Sequence, residues 1–419
     1  MPSVSLQLIY PENRFALVIE KTRDVSFIIF LLAGAFKADP RLQFLNFDLT
    51  IAFALFSFAL TLFTLGGSGT LPVLKWSTEY AYLFFFFAFY AFFSVIFANS
   101  TIDYSQDKAL RFLFLGGWAV VGSLFIQTER RLLWFTQVYG FCAIIFALSG
   151  LSNYFTSSSA ATSQISAFAF SSSYLILGQI CSSALPVFLT NSVLSHGFWR
   201  KSYSFAGTIL LIAATILSAA RGPILSLLLV TVLTPFALGQ RVRRWLGIWL
   251  IFILAVTVLV IFATFYSPMV FNRSLERFAV AQNNVRISLY DDALRIWEAH
   301  PVTGVGLGNY SVYFPDRLVS DKYPHNMILE SLAELGLIGG LLVALLLGIP
   351  LFLFYQQRAW RKPVATILFL MFLTTVLLAM FSGDFNDNRV VFVLAALSIS
   401  SAQLPAPDDV ITNLEQKNQ

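Results

Sequence analysis

Apolar stretches long enough to cross a bilayer recur from one end of this chain to the other, separated by short polar segments. They fall at roughly 25–41, 48–65, 79–98, 109–126, 132–151, 171–190, 203–220, 222–238, 245–265, 326–355, 364–382 and 389–404. The pattern predicts an all-α integral membrane protein of about 12 transmembrane helices, one polytopic domain over 1–419. Segments seven and eight are parted only by Ala219-Ala220-Arg221-Gly222-Pro223, a tight turn that Gly and Pro support. The longest polar interval, 266–325, carries a pattern of its own. From Asn284 to His300, Ile287, Leu289, Tyr290, Ala293, Leu294, Ile296 and Trp297 recur near helical spacing, with Asp291, Asp292, Arg295 and Glu298 between them. This predicts an amphipathic helix lying on the outer face of the bundle and ended by His300-Pro301. The Ser/Thr-rich stretch Ser152–Ser166 reads as a flexible outer loop, and 405–419 as a disordered tail.

Composition agrees with the pattern. Hydrophobic residues make up 57% of the 419, charged residues only 12%, and the mean hydropathy is +0.74. A soluble surface needs far more charge, so soluble classes, nucleic-acid binders among them, are excluded. Charge placement then sets orientation. With the N-terminus inside, fifteen of the 27 Lys and Arg fall in cytoplasmic segments, six in short outer loops and six in 266–325. The bias puts both termini in the cytoplasm and the long loop outside. No cleavable signal peptide is expected, because Glu12, Arg14 and Glu20 interrupt the first twenty residues. Cys142 and Cys181 lie in apolar runs and read as free core thiols.

A few polar residues stand out against this background. Arg221 sits at the outer end of a membrane helix, where positive charge is disfavoured. Arg286 opens the amphipathic segment on the same side, and Arg389 follows Asp384-Phe385-Asn386-Asp387-Asn388 at the outer start of the last helix. Guanidinium forks grip phosphate oxygens in pairs and stay charged, so this set suits a lipid-linked diphosphate. Of the three histidines, His196 reads as solvated and His300 as a helix-end residue. His325 is placed to begin the tenth segment, where the positive end of a helix favours a neutral imidazole able to accept a proton. Asn326, Glu330 and Glu334 share a face, with both glutamates expected at or above the outer membrane boundary. Glu330 lies about 140° around the helix from His325, poorly placed to orient it unless the helix distorts at Gly336 or Gly339-Gly340.

Other patterns lead nowhere. Gly304-Val305-Gly306-Leu307-Gly308 follows no strand and reads as a compact turn rather than a nucleotide loop. Asp291-Asp292 and Asp384…Asp387 have no further clustered ligands, so no metal and no cofactor are expected.

The order of amphipathic segment, glycine-rich turn, Pro324-His325-Asn326 and a membrane helix resembles the shared core of the bacterial O-antigen ligase and O-antigen polymerase family, over roughly residues 205–345. The resemblance implies a GT-C-like membrane glycosyltransferase at the periplasmic face of the inner membrane. Its donor would be a glycan on undecaprenyl diphosphate, and its partners membrane lipids and a lipid A-core acceptor or a growing glycan chain. The family's functional residues then fall on Arg221 and Arg286 for the diphosphate, His325 as general base of an inverting transfer, and, more loosely, Asp384 and Arg389. Asn326 and Glu330 would be supporting. Ligase is the leading expectation and polymerase the alternative. A transporter of lipid-linked glycans is a second alternative, disfavoured because the charges gather at one face rather than at the midplane.

Overall fold

A computed structural model of the chain describes residues 14–36, 39–42, 44–68, 74–98, 103–158, 167–170, 172–195, 197–237, 247, 254, 283–313 and 322–405. These form helices and loops, with no strand among the described residues. In order they are α1 (Arg14–Leu32), α2 (Leu49–Ser68), α3 (Lys75–Phe97) and α4 (Asp103–Arg111). The last runs through a π-helical turn (Phe112–Gly116) into α5 (Gly117–Ser123). There follow α6 (Glu129–Ser158), α7 (Tyr174–Leu194), α8 (Phe198–Leu217), α9 (Arg221–Ala237), α10 (Asn283–Ala299), α11 (Met327–Gln356), α12 (Pro363–Ala379) and α13 (Arg389–Gln403). Four of the described helices, α3, α6, α7 and α11, are long and apolar enough to cross a membrane; α2, α9, α12 and α13 hold shorter apolar helices. Nearly all of the predicted segment 245–265, all of 266–282 and the tail after 405 lie outside the described residues.

The bundle is built around α13. Every residue from Val391 to Ala402 is buried, and the helix packs against α3, α5, α11 and α12. Its Ala and Ser residues let neighbouring backbones approach, and hydroxyls such as Ser400 Oγ donate back to their own helix (Ala396 O, 3.0 Å). The outer surface is apolar instead of charged. Phe86, Phe89 and Phe93 of α3 and Leu341, Leu345 and Phe352 of α11 are exposed, as lipid-facing side chains are.

Segments assigned to one side by charge meet at one end of the bundle. There Asp24 accepts from Arg23 (3.0 Å) and Arg131 (2.7 Å), and Gln403 accepts from the Trp76 amide (3.0 Å). At the opposite end Arg111 pairs with Asp48 and Arg41 with Asp39.

Two expectations are corrected. The first helix occupies Arg14–Leu32 rather than 25–41, because Arg23 and Asp24 neutralise each other inside the bundle and Pro40 lies beyond its end. The Ser/Thr-rich stretch is helical as far as Ser158, where Asn153 Nδ2 donates to Phe168 O and Tyr154 is buried. Residues 159–166 of it lie outside the described set.

What positions the end of the bundle where α11 begins is a break in that helix. Gly336 takes φ +64 and ψ −161, dividing the helix into a short outer half and a long apolar remainder. A break leaves backbone groups without helical partners, and inside a membrane protein each must find another. The glycine-rich turn supplies them. Leu337 N donates to Pro301 O (2.8 Å) and Ile338 N to Val302 O (3.3 Å). In return Val305 N donates to Ala333 O (3.2 Å) and Gly306 N to Glu334 O (2.8 Å), while Tyr90 Oη donates to Leu335 O (3.0 Å). The two chains come so close that a Cβ on Gly336 would stand 2.3 Å from Val302 O, and one on Gly304 2.4 Å from the Glu334 carbonyl carbon. Gly336→Ala therefore combines a left-handed backbone with a backbone clash. It should destabilise the protein by about 1–3 kcal/mol or more, read as a lowered thermal midpoint in detergent; an unchanged midpoint would mean the break is not needed.

Candidate functional site

Amphipathic patterning placed α10 correctly, but not which residues of it turn inward. Leu289, Ala293 and Ile296 are buried against Val305, Tyr310 and Ala333, so the helix packs on both the glycine turn and α11. Asp292 is buried as well, whereas Ile287 and Leu294 are exposed. Tyr310 Oη donates to Leu289 O (2.9 Å) and closes this small core. Tyr290 Oη (3.4 Å) and Asn326 Nδ2 (3.2 Å) both donate to Met380 O, which ties α10 and the start of α11 to the end of α12.

That scaffold brings Arg221 and Arg286 together. Both line a cleft of about 140 Å³ with Tyr174, Leu175, Ala219, Ala220, Gly222 and Phe381. Arg221 is the first residue of α9, delivered by the tight turn in which Ala219 takes φ +54. Leu175 also borders a second cavity, of about 320 Å³, lined by His325, Tyr323, Asp387, Asn388 and Arg389. Gln179, Ser183, Tyr139 and Thr375 add polar groups to a wall that includes Leu31, Leu32, Ile176, Ile180 and Leu378. The N-terminal ends of α7, α9, α11 and α13 all face these two spaces, so the helix dipoles make the region attractive to an anion.

His325 does not occupy the first turn of α11, as the sequence led one to expect. It precedes the N-cap with φ +56, and capping falls to Asn326, whose Oδ1 accepts from Ile328 N and Leu329 N (3.0 Å each). The Tyr323 ring packs edge-on against it at 4.5 Å. Burial keeps the Tyr323 hydroxyl protonated, well above the usual tyrosine range. A left-handed non-glycine residue is held only where its surroundings dictate it, and such residues gather at functional sites. His300 ends α10 and meets Tyr313 Oη at 3.2 Å; His196 lies outside the described residues.

Arg389 stands apart from the other two arginines. It lines the larger cavity, but its guanidinium donates to Asn386 O (3.0 Å), Phe30 O (3.4 Å) and Leu31 O (3.5 Å) and lies over the Phe30 ring. Asp384 does not pair with it. Its carboxylate accepts from Asp387 N (3.0 Å) and Tyr104 Oη (3.2 Å), shaping the turn before α13.

The largest departure concerns Glu330 and Glu334. Far from being solvated at the membrane boundary, both are fully buried, each paired with Lys108: Nζ to Glu330 Oε1 is 2.6 Å and to Glu334 Oε2 2.8 Å. Burial by itself would push the ammonium down, but the two carboxylates outweigh it and hold Lys108 well above the usual amine range. By charge placement alone, Lys108 is one of the six cations of the short outer loops. Its signal was present, since Ser105, Lys108, Ala109 and Phe112 form one buried helical stripe. Lys108→Met would strand two buried carboxylates and should cost about 3–5 kcal/mol, seen as a large drop in thermal midpoint. Neutralising Glu330→Gln and Glu334→Gln alongside it should return most of that loss; no recovery would mean the pairing is not what Lys108 contributes.

No curated protein matches the chain. Residues 206–344, about a third of its length, match the family model described as O-antigen ligase. The matched stretch coincides with the one singled out from the residues and contains Arg221, Arg286 and His325. Over residues 206–344, then, the chain is similar to the O-antigen ligase family.

Proposed function

We propose that the protein is an O-antigen ligase of the bacterial inner membrane. It moves a glycan from undecaprenyl diphosphate to the lipid A-core oligosaccharide at the periplasmic face. The observation that carries this reading is the pairing of Arg221 and Arg286 in one cleft, adjoining through Leu175 the cavity that His325 lines. A diphosphate in the cleft meets two guanidinium groups and the start of α9, and its sugar then reaches the cavity. Gln179, Ser183 and Asn388 offer the hydroxyl and amide groups that sugars hydrogen-bond.

His325 takes the proton from an acceptor sugar hydroxyl. The freed oxygen attacks the anomeric carbon from the face opposite the diphosphate; the new C–O bond forms as the bond to the phosphate oxygen breaks, and the linkage inverts. Arg221 and Arg286 carry the charge that grows on departing undecaprenyl diphosphate. Two fixed cations supply what a metal would otherwise provide, so the reading needs none. Arg389 closes the cavity wall, and Asn326 and Asp384 shape the turns that present His325 and Asp387.

The orientation comes from charge bias, with the site facing the periplasm and both termini the cytoplasm. A cysteine at the exposed position of Glu298 should react with an impermeant maleimide from the periplasmic side, and one at exposed Arg200 should not. The reverse labelling pattern would overturn the orientation and with it the location of the site.

The chemistry separates the residues. His325→Ala should keep donor affinity while single-turnover transfer to lipid A-core falls roughly 10²–10⁴-fold. Arg221→Ala should weaken donor binding and slow transfer by about 10²–10³-fold. Arg286→Lys should stay severely impaired, because a point charge lacks the planar fork. Folded His325→Ala protein working at near wild-type rate would sink the base assignment. Glycan appearing on a second donor rather than on lipid A-core would make the protein the polymerase.

A further inference from the structure

We infer that Lys108 is a positioning residue for His325, acting through Glu330 and Glu334. The inference rests on the assignment of His325 to the acceptor hydroxyl. Its basis is the mechanical isolation of the outer half of α11. That half is about two turns long, and the break at Gly336 prevents the membrane-embedded remainder from dictating its direction. A helix so short holds its place only through contacts to other elements.

Two of those contacts lie at its ends. Asn326 donates to Met380 O at the start, and the glycine turn grips the carbonyls of Ala333 and Glu334 at the finish. These contacts, with the packing of Ala333 against the α10 core, hold the ends of the half-helix. Lys108 adds a hold on its middle. Glu330 and Glu334 stand one turn apart on one face, and a single ammonium reaches both, at 2.6 and 2.8 Å. Any roll takes both carboxylates off the ammonium together and swings His325, at the near end, within its cavity.

The residue that sets this angle is itself tied to the opposite wall of the cavity. Lys108 O accepts from Asn386 Nδ2 (3.2 Å), and Tyr104, one turn earlier, donates to Asp384 Oδ2 (3.2 Å). The 384–389 turn held in this way supplies Asp387, Asn388 and Arg389 to the same cavity. Lys108 therefore relates the histidine to the wall that faces it. Stability alone is a poor reason for such a group, since a buried ion cluster commonly holds a fold no better than apolar residues of similar volume. What it provides is a defined angle.

The test removes the charges together, so that no carboxylate is stranded. Lys108→Met/Glu330→Gln/Glu334→Gln is compared with wild type, and the same triple is placed on His325→Ala, using purified full-length protein, undecaprenyl-diphosphate-linked glycan and lipid A-core acceptor. The triple variant should bind donor as wild type does and transfer on the order of 10²-fold more slowly, the loss a displacement of about 1 Å produces. On His325→Ala, in a single-turnover assay followed for hours, it should cause no further loss. A general structural role would instead lower both backgrounds by one factor or weaken donor binding; either result overturns the inference, as does wild-type turnover in the triple variant. Should the triple variant fail to fold, Glu330→Gln/Glu334→Gln removes both carboxylate partners while keeping the lysine, and wild-type turnover in that folded protein overturns the inference equally. His325→Ala measured by itself tests the base assignment, so failure of that assignment is read separately.

Discussion

The end of this protein that holds the Arg221 and His325 cavities depends on a membrane helix that stops being helical for one residue. At Gly336 the backbone groups of α11 lose their own partners, and the 301–306 turn hydrogen-bonds to both sides of the gap. Within a bilayer-embedded bundle such a gap is tolerable only if every freed N–H and C=O is met. Meeting them demands two backbones in contact, which explains glycine at 304 and 336, on facing sides of the seam. The seam also binds α10, through the shared core of Leu289, Ala293, Ile296, Val305 and Ala333. Thus a defect in one helix fixes α10, and with it Arg286.

The same break frees the first part of α11 to be placed independently of the membrane-crossing part. Its direction follows from polar contacts rather than from apolar packing alone: Asn326 to Met380 O, and Lys108 to two glutamates. A cluster of one ammonium and two carboxylates at full burial is a costly choice unless geometry is what matters. Its neighbours support that view, because Tyr104, Asp384 and Asn386 extend the network to the turn that carries Asp387 and Arg389.

Arginine in this protein has several uses. Arg221 and Arg286 line a cleft at the starts of α9 and α10, where helix dipoles reinforce their charge. Arg389 spends its donors on carbonyl oxygens of Phe30, Leu31 and Asn386. Arg23 and Arg131, at the other end of the bundle, hold Asp24. Residue type and membrane side alone do not distinguish these uses.

Much was legible in the order of residues. Periodicity determined the helical class, the amphipathic 284–300 element and the Arg221 turn, since these depend on local apolar spacing and on Gly and Pro. The motif around His325 and the 206–344 family match were likewise properties of the chain alone. Tertiary structure decided the rest. Helix α1 lies earlier than hydropathy placed it because Asp24 meets Arg23 and Arg131, the latter more than a hundred residues away. Glu330 and Glu334 are buried because the Lys108 ammonium, over 220 residues distant, pairs with both. Arg221 and Arg286 share a cleft, while Arg389 is turned to another task. In each case the deciding partner lies far along the chain, and a charge reads as solvated until the group that neutralises it is known.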